Sequence, residues 1–381
     1  MKKNQILRIY GTSYKEMTKF LLEEAGLDGQ IGDRQRRIAI KPNLVNTTPA
    51  ELGATTHPEV VAGIIEYLQE RGFGNLQLIE SSWVGDKTTD AIRECGYDRL
   101  MDRYGIPFVD VQQETSRKED CAGMQLRITN GYQPSDFLIN VPVLKGHCQT
   151  KMTCALKNMK GLIPSSEKRR FHTMGLHKPI AHLSAAIRQD FIVVDHICGD
   201  LDFEDGGNPV VRNCVMVGMD PVLVDSFACK LLHYQAADVP YVVMAEQLGS
   251  GSTDLSGLEV VSYHWAEERE KMQRQAVKLD ADQAEASERL SRGHKLVEVQ
   301  NAVAEIDSCS ACYGTLIPVL DRLREEGLLD RLPDRICIGQ GYRGKTGLLG
   351  VGNCTAGFQH SVKGCPPTEE DIYAFLLNCL N

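Results

Sequence analysis

Four cysteines in the last eighty or so residues have the types and spacing to hold a metal centre. Cys309 and Cys312 form a C-x-x-C pair, Cys354 sits in Gly-Val-Gly-Asn-Cys, and Cys365 in Lys-Gly-Cys-Pro-Pro. One close pair plus two distant loop cysteines suits the four thiolates of a [4Fe-4S] cluster. Neighbouring glycines let backbone N–H groups approach such sulfurs. A structural zinc site also takes four cysteines, but it usually uses two C-x-x-C knuckles and only one is present. Buried thiols acting as small hydrophobes are the third reading. Cys337 falls inside an expected strand and reads as core.

A second concentration of chemistry lies between Val141 and His182. It carries Lys145, His147, Lys151, Lys157, Asn158, Lys160, Lys168, Arg169, Arg170 and His172 within an acidic protein. Cations grouped where an α/β strand ends suggest a pocket for a small anionic molecule, a carboxylate or a phosphate. Lys41 and Asn43 stand at the end of another expected strand and join this set. Lys41, Asn43, Lys145, Lys157, Asn158 and Lys160 are therefore the candidate substrate-binding residues, and His147 and His172 the candidate proton-moving ones. Asp195 ends the apolar run Phe191-Ile-Val-Val-Asp, where ligand contacts gather, and is the third catalytic candidate. His172, His177 and His182 are five residues apart, which does not align them on one helix face for a metal.

A third motif is a false lead. Gly339-Gln-Gly-Tyr-Arg-Gly-Lys345-Thr346 matches the phosphate-loop pattern letter for letter. A working phosphate loop must run straight into a helix whose N-terminus faces the phosphates. The continuation Gly-Leu-Leu-Gly-Val-Gly-Asn-Cys is poor helix material.

These residues need a scaffold. Apolar runs at 38–45, 76–80, 136–144 and 191–197 alternate with helical patterns. One such pattern opens at His57-Pro58 and places Val60, Val61, Ile64, Ile65 and Leu68 on one face. Asp220-Pro221 pairs an N-cap with a proline at the first helical position. The expectation is an α/β fold: a layered, mostly parallel sheet domain over 1–262, a charged helical connector over 263–301, and a small cysteine-rich α+β domain over 302–381. The connector is read as one exposed helix, because Glu, Lys, Arg, Gln and Ala dominate residues 265–298.

The chain has 381 residues and a formal net charge of −9. That balance argues against general nucleic-acid or anionic-membrane binding, because phosphate backbones demand a basic surface. No apolar stretch reaches membrane-spanning length. A cytoplasmic, reducing setting is expected, in which the thirteen cysteines are not disulfides.

The combination Ile-Lys-Pro-Asn-Leu-Val at 40–45, Thr-Thr-His-Pro at 55–58, Asp-Phe-Leu-Ile-Asn-Val-Pro-Val-Leu-Lys-Gly-His at 136–147, Ala-Leu-Lys-Asn-Met-Lys-Gly-Leu-Ile-Pro at 155–164 and Val-Gly-Met-Asp-Pro-Val-Leu-Val-Asp at 217–225 resembles the domain-of-unknown-function 362 family. The cysteine-rich end resembles the ferredoxin-like tail some members carry, which implies the cluster. The chain departs from the family at Glu204-Asp-Gly-Gly-Asn-Pro209, where members usually show Gly-x-Gly-Pro. The Lys-Asn-Met-Lys-Gly-Leu-Ile-Pro segment is also similar, at the level of one loop, to the lactate racemase family, whose cofactor is a lysine-tethered nickel pincer. The leading functional expectation is a redox enzyme acting on a small anionic substrate, with an electron-transfer partner protein. A non-redox racemase or lyase with a structural cluster, and a redox sensor or electron carrier, are the alternatives.

Overall fold

The structure is a computed structural model that describes residues 1–202, 209–288 and 299–380. It divides into two compact units. The first comprises Met1–His147, Lys151–Lys168 and His177–Arg289, the second Cys148–Thr150, Arg169–Leu176 and Leu290–Asn381.

The strands of the first unit are, in chain order, β1 (Gln5–Tyr10), β2 (Ile38–Pro42), β3 (Leu76–Glu80), β4 (Phe108–Asp110), β5 (Ser116–Cys121), β6 (Met124–Thr129), β7 (Phe137–Val141), β8 (Lys145–His147), β9 (Lys151–Thr153), β10 (Phe191–Asp200), β11 (Pro209–Gly218), β12 (Glu259–His264) and β13 (Val277–Leu279). Nine of them form one sheet in the order β13-β12-β1-β11-β10-β7-β2-β3-β4. From β10 through β7, β2 and β3 to β4 every pairing is parallel. β11 runs antiparallel to both β10 and β1. The central strands β2, β3, β7 and β10 are buried along their whole length, as strands covered on both faces must be. β5–β6 and β8–β9 are separate antiparallel hairpins.

The helix Pro58–Glu70 buries Val60, Val61, Ile64, Ile65 and Leu68. Together with the helix Tyr14–Ala25 it closes one side of the core. The helix Pro221–Leu231 starts as its sequence requires, with the Asp220 carboxylate accepting from the Val222 and Leu223 amides at 2.9 Å.

The expected single exposed helix over 265–298 is not what residues 265–288 form. They fold as a helix at Arg269–Arg274, strand β13 paired antiparallel to β12, and a helix at Ala281–Ala286. Residues 289–298 lie outside the described residues. The physical reason is Arg8, which is wholly buried in β1. Its guanidinium donates to Glu288 and to the Ala284 carbonyl, both at 3.1 Å, and to Ser287 Oγ at 2.8 Å. Composition marks this stretch as charged, but its acid is the counter-ion of a buried arginine.

The second unit carries β14 (Val303–Glu305), β15 (Ile336–Ile338), β16 (Leu349–Val351) and β17 (His360–Val362), all parallel and in sequential order. The helix Ser310–Glu325 connects β14 to β15 and packs on the last helix, Glu369–Cys379. From β15 to β16 and from β16 to β17 the chain returns with only 3-10 turns between strands.

Candidate functional site

The first unit gathers three of the expected binding residues, Lys145, Asn43 and Asn158, into one hydrogen-bonded chain. Lys145 Nζ donates to the Ala54 carbonyl and, at 3.3 Å, to Asn43 Oδ1. Asn43 Nδ2 donates to Asn158 Oδ1 at 2.9 Å, Asn158 Nδ2 to Asn140 Oδ1 at 2.7 Å, and Asn140 Nδ2 to Gln189 Oε1 at 2.7 Å. The carboxyl ends of β2 and β7 and the segment 155–158 are thus fixed by amides that satisfy one another. Asp225 anchors that segment by accepting from the Ala155 and Leu156 amides at 2.7 and 3.1 Å. Burial pushes the Asp225 carboxyl up to about 7.

Lys41 lies beside this chain and is completely buried. Its ammonium pairs with Glu80 and donates to the Pro42 carbonyl at 3.0 Å. Burial lowers the Lys41 pKa, and the Glu80 charge opposes that shift. Lys168, which reads in the sequence as part of a surface run, is buried as well. Its ammonium donates to the Ser81 carbonyl, Ser81 Oγ and the Ser82 carbonyl, each at 2.7 Å. Burial lowers it to about 7, with Glu80 opposing and Lys41 reinforcing. Gly161 closes over the Lys41–Glu80 pair: a Cβ there would lie 1.6 Å from Glu80 Oε1.

Other candidates lie elsewhere. Lys157 donates to Thr153 Oγ1 at 3.0 Å. With Lys151 it forms the cationic surroundings of His177, whose pKa is lowered to about 4 by burial first and by these lysines second. Lys160 is half-buried in the turn Met159–Leu162, and His147 is buried at the end of β8. His172 belongs to the second unit.

Asp195 is not at a strand end. β10 continues to Asp200, so Asp195 stands in mid-strand, because β11 pairs with β10 along its full length. It is wholly buried, and its Oδ2 accepts from the His57 amide at 2.7 Å and from His57 Nδ1 at 2.8 Å. In the sequence His57 reads only as a helix opener, a role that its backbone does fill. Glu80 reads only as the end of a strand. The available signal was an acid one strand over from Lys41, since β2 and β3 pair in parallel.

In the second unit three expected ligands follow strands of one parallel sheet: Cys309 after β14, Cys354 after β16 and Cys365 after β17. Cys312 stands in the first turn of the helix that begins at Ser310. The turn Gln340–Tyr342 and the next residue bridge two of the sulfurs. Gln340 Nε2 donates to Cys309 Sγ at 3.4 Å and Arg343 Nε to Cys354 Sγ at 3.5 Å. Gly352, at φ 89°, leaves its side-chain position 3.6 Å from Cys312 Sγ. Cys354 and Cys365 both line a cavity of about 390 Å³. Burial, and then the charges of the other three cysteines, push the Cys312 thiol up to about 12. Among the described residues no three His, Cys, Asp or Glu side chains are close enough to grip one metal ion.

The phosphate-loop look-alike is followed by β16 and no helix. Lys345 is exposed, with its ammonium 5.6 Å from the Tyr342 ring centre. Lys345→Ala is expected to leave MgATP affinity as in the parent, below detection by calorimetry. Tight binding abolished by that substitution would reverse the assignment.

The model of the family described as "Domain of unknown function (DUF362)" matches residues 38–230. The chain belongs to this family. The match spans β2 to the helix Pro221–Leu231, the part of the DUF362 chain that carries the Lys145–Asn43–Asn158 network, the Lys41–Glu80 pair and the His57–Asp195 pair. The chain is also 27% identical over 244 residues to a thylakoid-associated protein of Synechocystis sp., covering 61% of this chain and 74% of that one. Two solved structures align at low similarity. The lactate racemase apoprotein of Thermoanaerobacterium thermosaccharolyticum gives a TM-score of 0.36 at 10% identity, over 79% of this chain and 59% of that one. A Thermotoga maritima protein gives 0.33 at 12% identity, over 78% and 62%. The chain thus spans less than two thirds of either structure. No helix among the described residues is long and apolar enough to cross a membrane.

Proposed function

We propose that this DUF362 protein is a cytoplasmic iron–sulfur enzyme acting on a small anionic organic substrate. The observation that carries the reading is the second unit's sheet, in which three parallel strands lead into loops that each supply a cysteine. Cys309, Cys312, Cys354 and Cys365 would hold a [4Fe-4S] cluster. When bound, such a group supplies one-electron transfer. Gln340 and Arg343 donate N–H groups to two of the sulfurs, which would steady the charge the sulfurs carry. The first unit would hold the substrate near Lys145, Asn43 and Asn158. An electron-transfer partner protein is part of this reading.

The test is anaerobic purification followed by iron, sulfide and zinc analysis and an EPR spectrum after dithionite reduction. About four irons and four sulfides per chain are expected, the load of one such cluster. Stoichiometric zinc without iron or sulfide would overturn it. A second reading, proton transfer without net oxidation and with a structural cluster, is favoured by the buried His57–Asp195 pair.

A further inference from the structure

We propose that His57 and Asp195 form a proton-transfer dyad, in which His57 Nε2 removes a proton from a small carbon acid bearing a carboxylate. This rests on the reading that the first unit takes a small anionic substrate, and it names the chemistry done there.

The pair has the parts of a positioned base. His57 keeps only 5% of its side-chain surface exposed, and Asp195 none. The Asp195 carboxylate is fixed by three donors: the His57 amide, His57 Nδ1, and the Ile197 amide at 3.1 Å. An acceptor on Nδ1 sets the tautomer, so the lone pair of the neutral ring lies on Nε2. The hydrogen bond of the His57 ring among the described residues goes to Asp195 through Nδ1 and leaves Nε2 without a hydrogen bond there.

A purely structural role accounts for less. His57 occupies the cap position of the helix Pro58–Glu70, but its side chain caps nothing. The edge-on ring of Tyr14, with centroids 5.5 Å apart, packs against the imidazole without giving it a donor or acceptor. Lys145 is bonded to the Ala54 carbonyl in the same loop, which brings a cation to that loop.

The step is balanced without an oxidant or reductant. The substrate C–H bond breaks and the Nε2–H bond forms. The electron pair stays with the substrate and spreads onto the neighbouring carbonyl or carboxyl oxygen. The Asp195 carboxylate faces the imidazolium through Nδ1. Return of the proton to the same carbon regenerates the free base.

The groups that set the His57 titration are Asp195 on β10, Glu59 on its own helix and Glu51 in the turn Ala50–Leu52. Burial alone would lower its pKa, but the Asp195 charge and hydrogen bond, with the two glutamates, leave it raised above 6.5. Diethyl pyrocarbonate acylates only accessible neutral imidazoles, so the pH profile of labelling reads both properties. With the full-length, anaerobically purified chain, peptide mapping should find His57 labelled with a midpoint above 6.5. In Asp195→Asn, where burial remains and the charge is gone, the midpoint should move down. A His57 that stays unlabelled at every pH overturns the dyad, as does a midpoint unmoved by Asp195→Asn.

The second arm follows deuterium exchange from D2O into short 2-oxo and 2-hydroxy carboxylates by proton NMR. His57→Gln, checked for folding by circular dichroism, should lose about a hundredfold or more in rate. Exchange that is absent, or unchanged in His57→Gln, overturns the carbon-acid chemistry. Saturation-transfer NMR on the same acids separates the two readings. Binding without exchange counts against the base, and no binding counts against the anionic substrate. The labelling profile decides the dyad in either case.

Discussion

Glu80→Ala is expected to lower the unfolding free energy by about 3–5 kcal/mol, as for other buried ion pairs that lose one member. Urea unfolding followed by circular dichroism measures it. The size follows from what remains behind. Lys41 is fully buried, and without Glu80 its ammonium keeps only the Pro42 carbonyl. Lys168 lies near enough for the two cations to repel, and Glu80 is the anion that offsets both. Replacing the pair together, Lys41→Met with Glu80→Leu, should recover most of the loss, because no uncompensated charge is then left in the core. A single mutant with parental stability would show that the pair is not buried as described.

The same cluster makes stability depend on pH. Folded Lys168 gives up its proton at about 7, whereas its unperturbed value is 10.5. Between those values the unfolded chain binds more protons than the folded one. This group's contribution to stability therefore grows as pH rises through that window.

Cys312→Ala and Cys354→Ala are expected to reduce the bound iron from about four per chain to near zero, or to a smaller converted cluster. Cys337→Ala is expected to keep the full load. The contrast rests on placement. Cys354 receives Arg343 and lines the cavity, and Cys312 faces Gly352. Cys337 is the middle residue of β15, paired between Ala304 and Gly350. Iron content with the visible and EPR spectra reads the difference. Equal iron in all three variants would remove the cysteine set from consideration.

Much of the scaffold is legible in the sequence because local rules and tertiary packing agree there. The run at 76–80 is β3, and the face Val60, Val61, Ile64, Ile65, Leu68 is buried as its spacing requires. Asp220 caps its helix. Where a residue answers to a distant partner, local reading falls short. Residues 265–288 look like one solvated helix until the buried Arg8 is known to need Glu288. The run from 191 looks finished at Asp195, yet β10 continues past this carboxylate, which pairs with His57 in mid-strand. Lys168 looks like surface beside Arg169 and Arg170, and only the fold reveals the three oxygens that receive it. Among the expected binding residues, Lys41, Asn43, Lys145 and Asn158 come together because all stand at the ends of neighbouring strands or on the loop packed there. Lys157 turns instead toward Thr153.

The place of β1 in the sheet bears on the order in which a ribosome delivers the chain. Gln5–Tyr10 precedes every other strand of its sheet in the chain, and its two neighbours are β11 and β12. Neither exists until more than two hundred further residues have been synthesised. In the meantime the parallel group β2, β3, β4 and β7 has all its members and can assemble. The segment Ile6-Leu-Arg-Ile9 must wait with both backbone edges unpaired, a condition that invites pairing with another nascent chain. The arginine at its centre, which ends the wait in contact with Glu288, carries a charge that discourages such pairing during elongation.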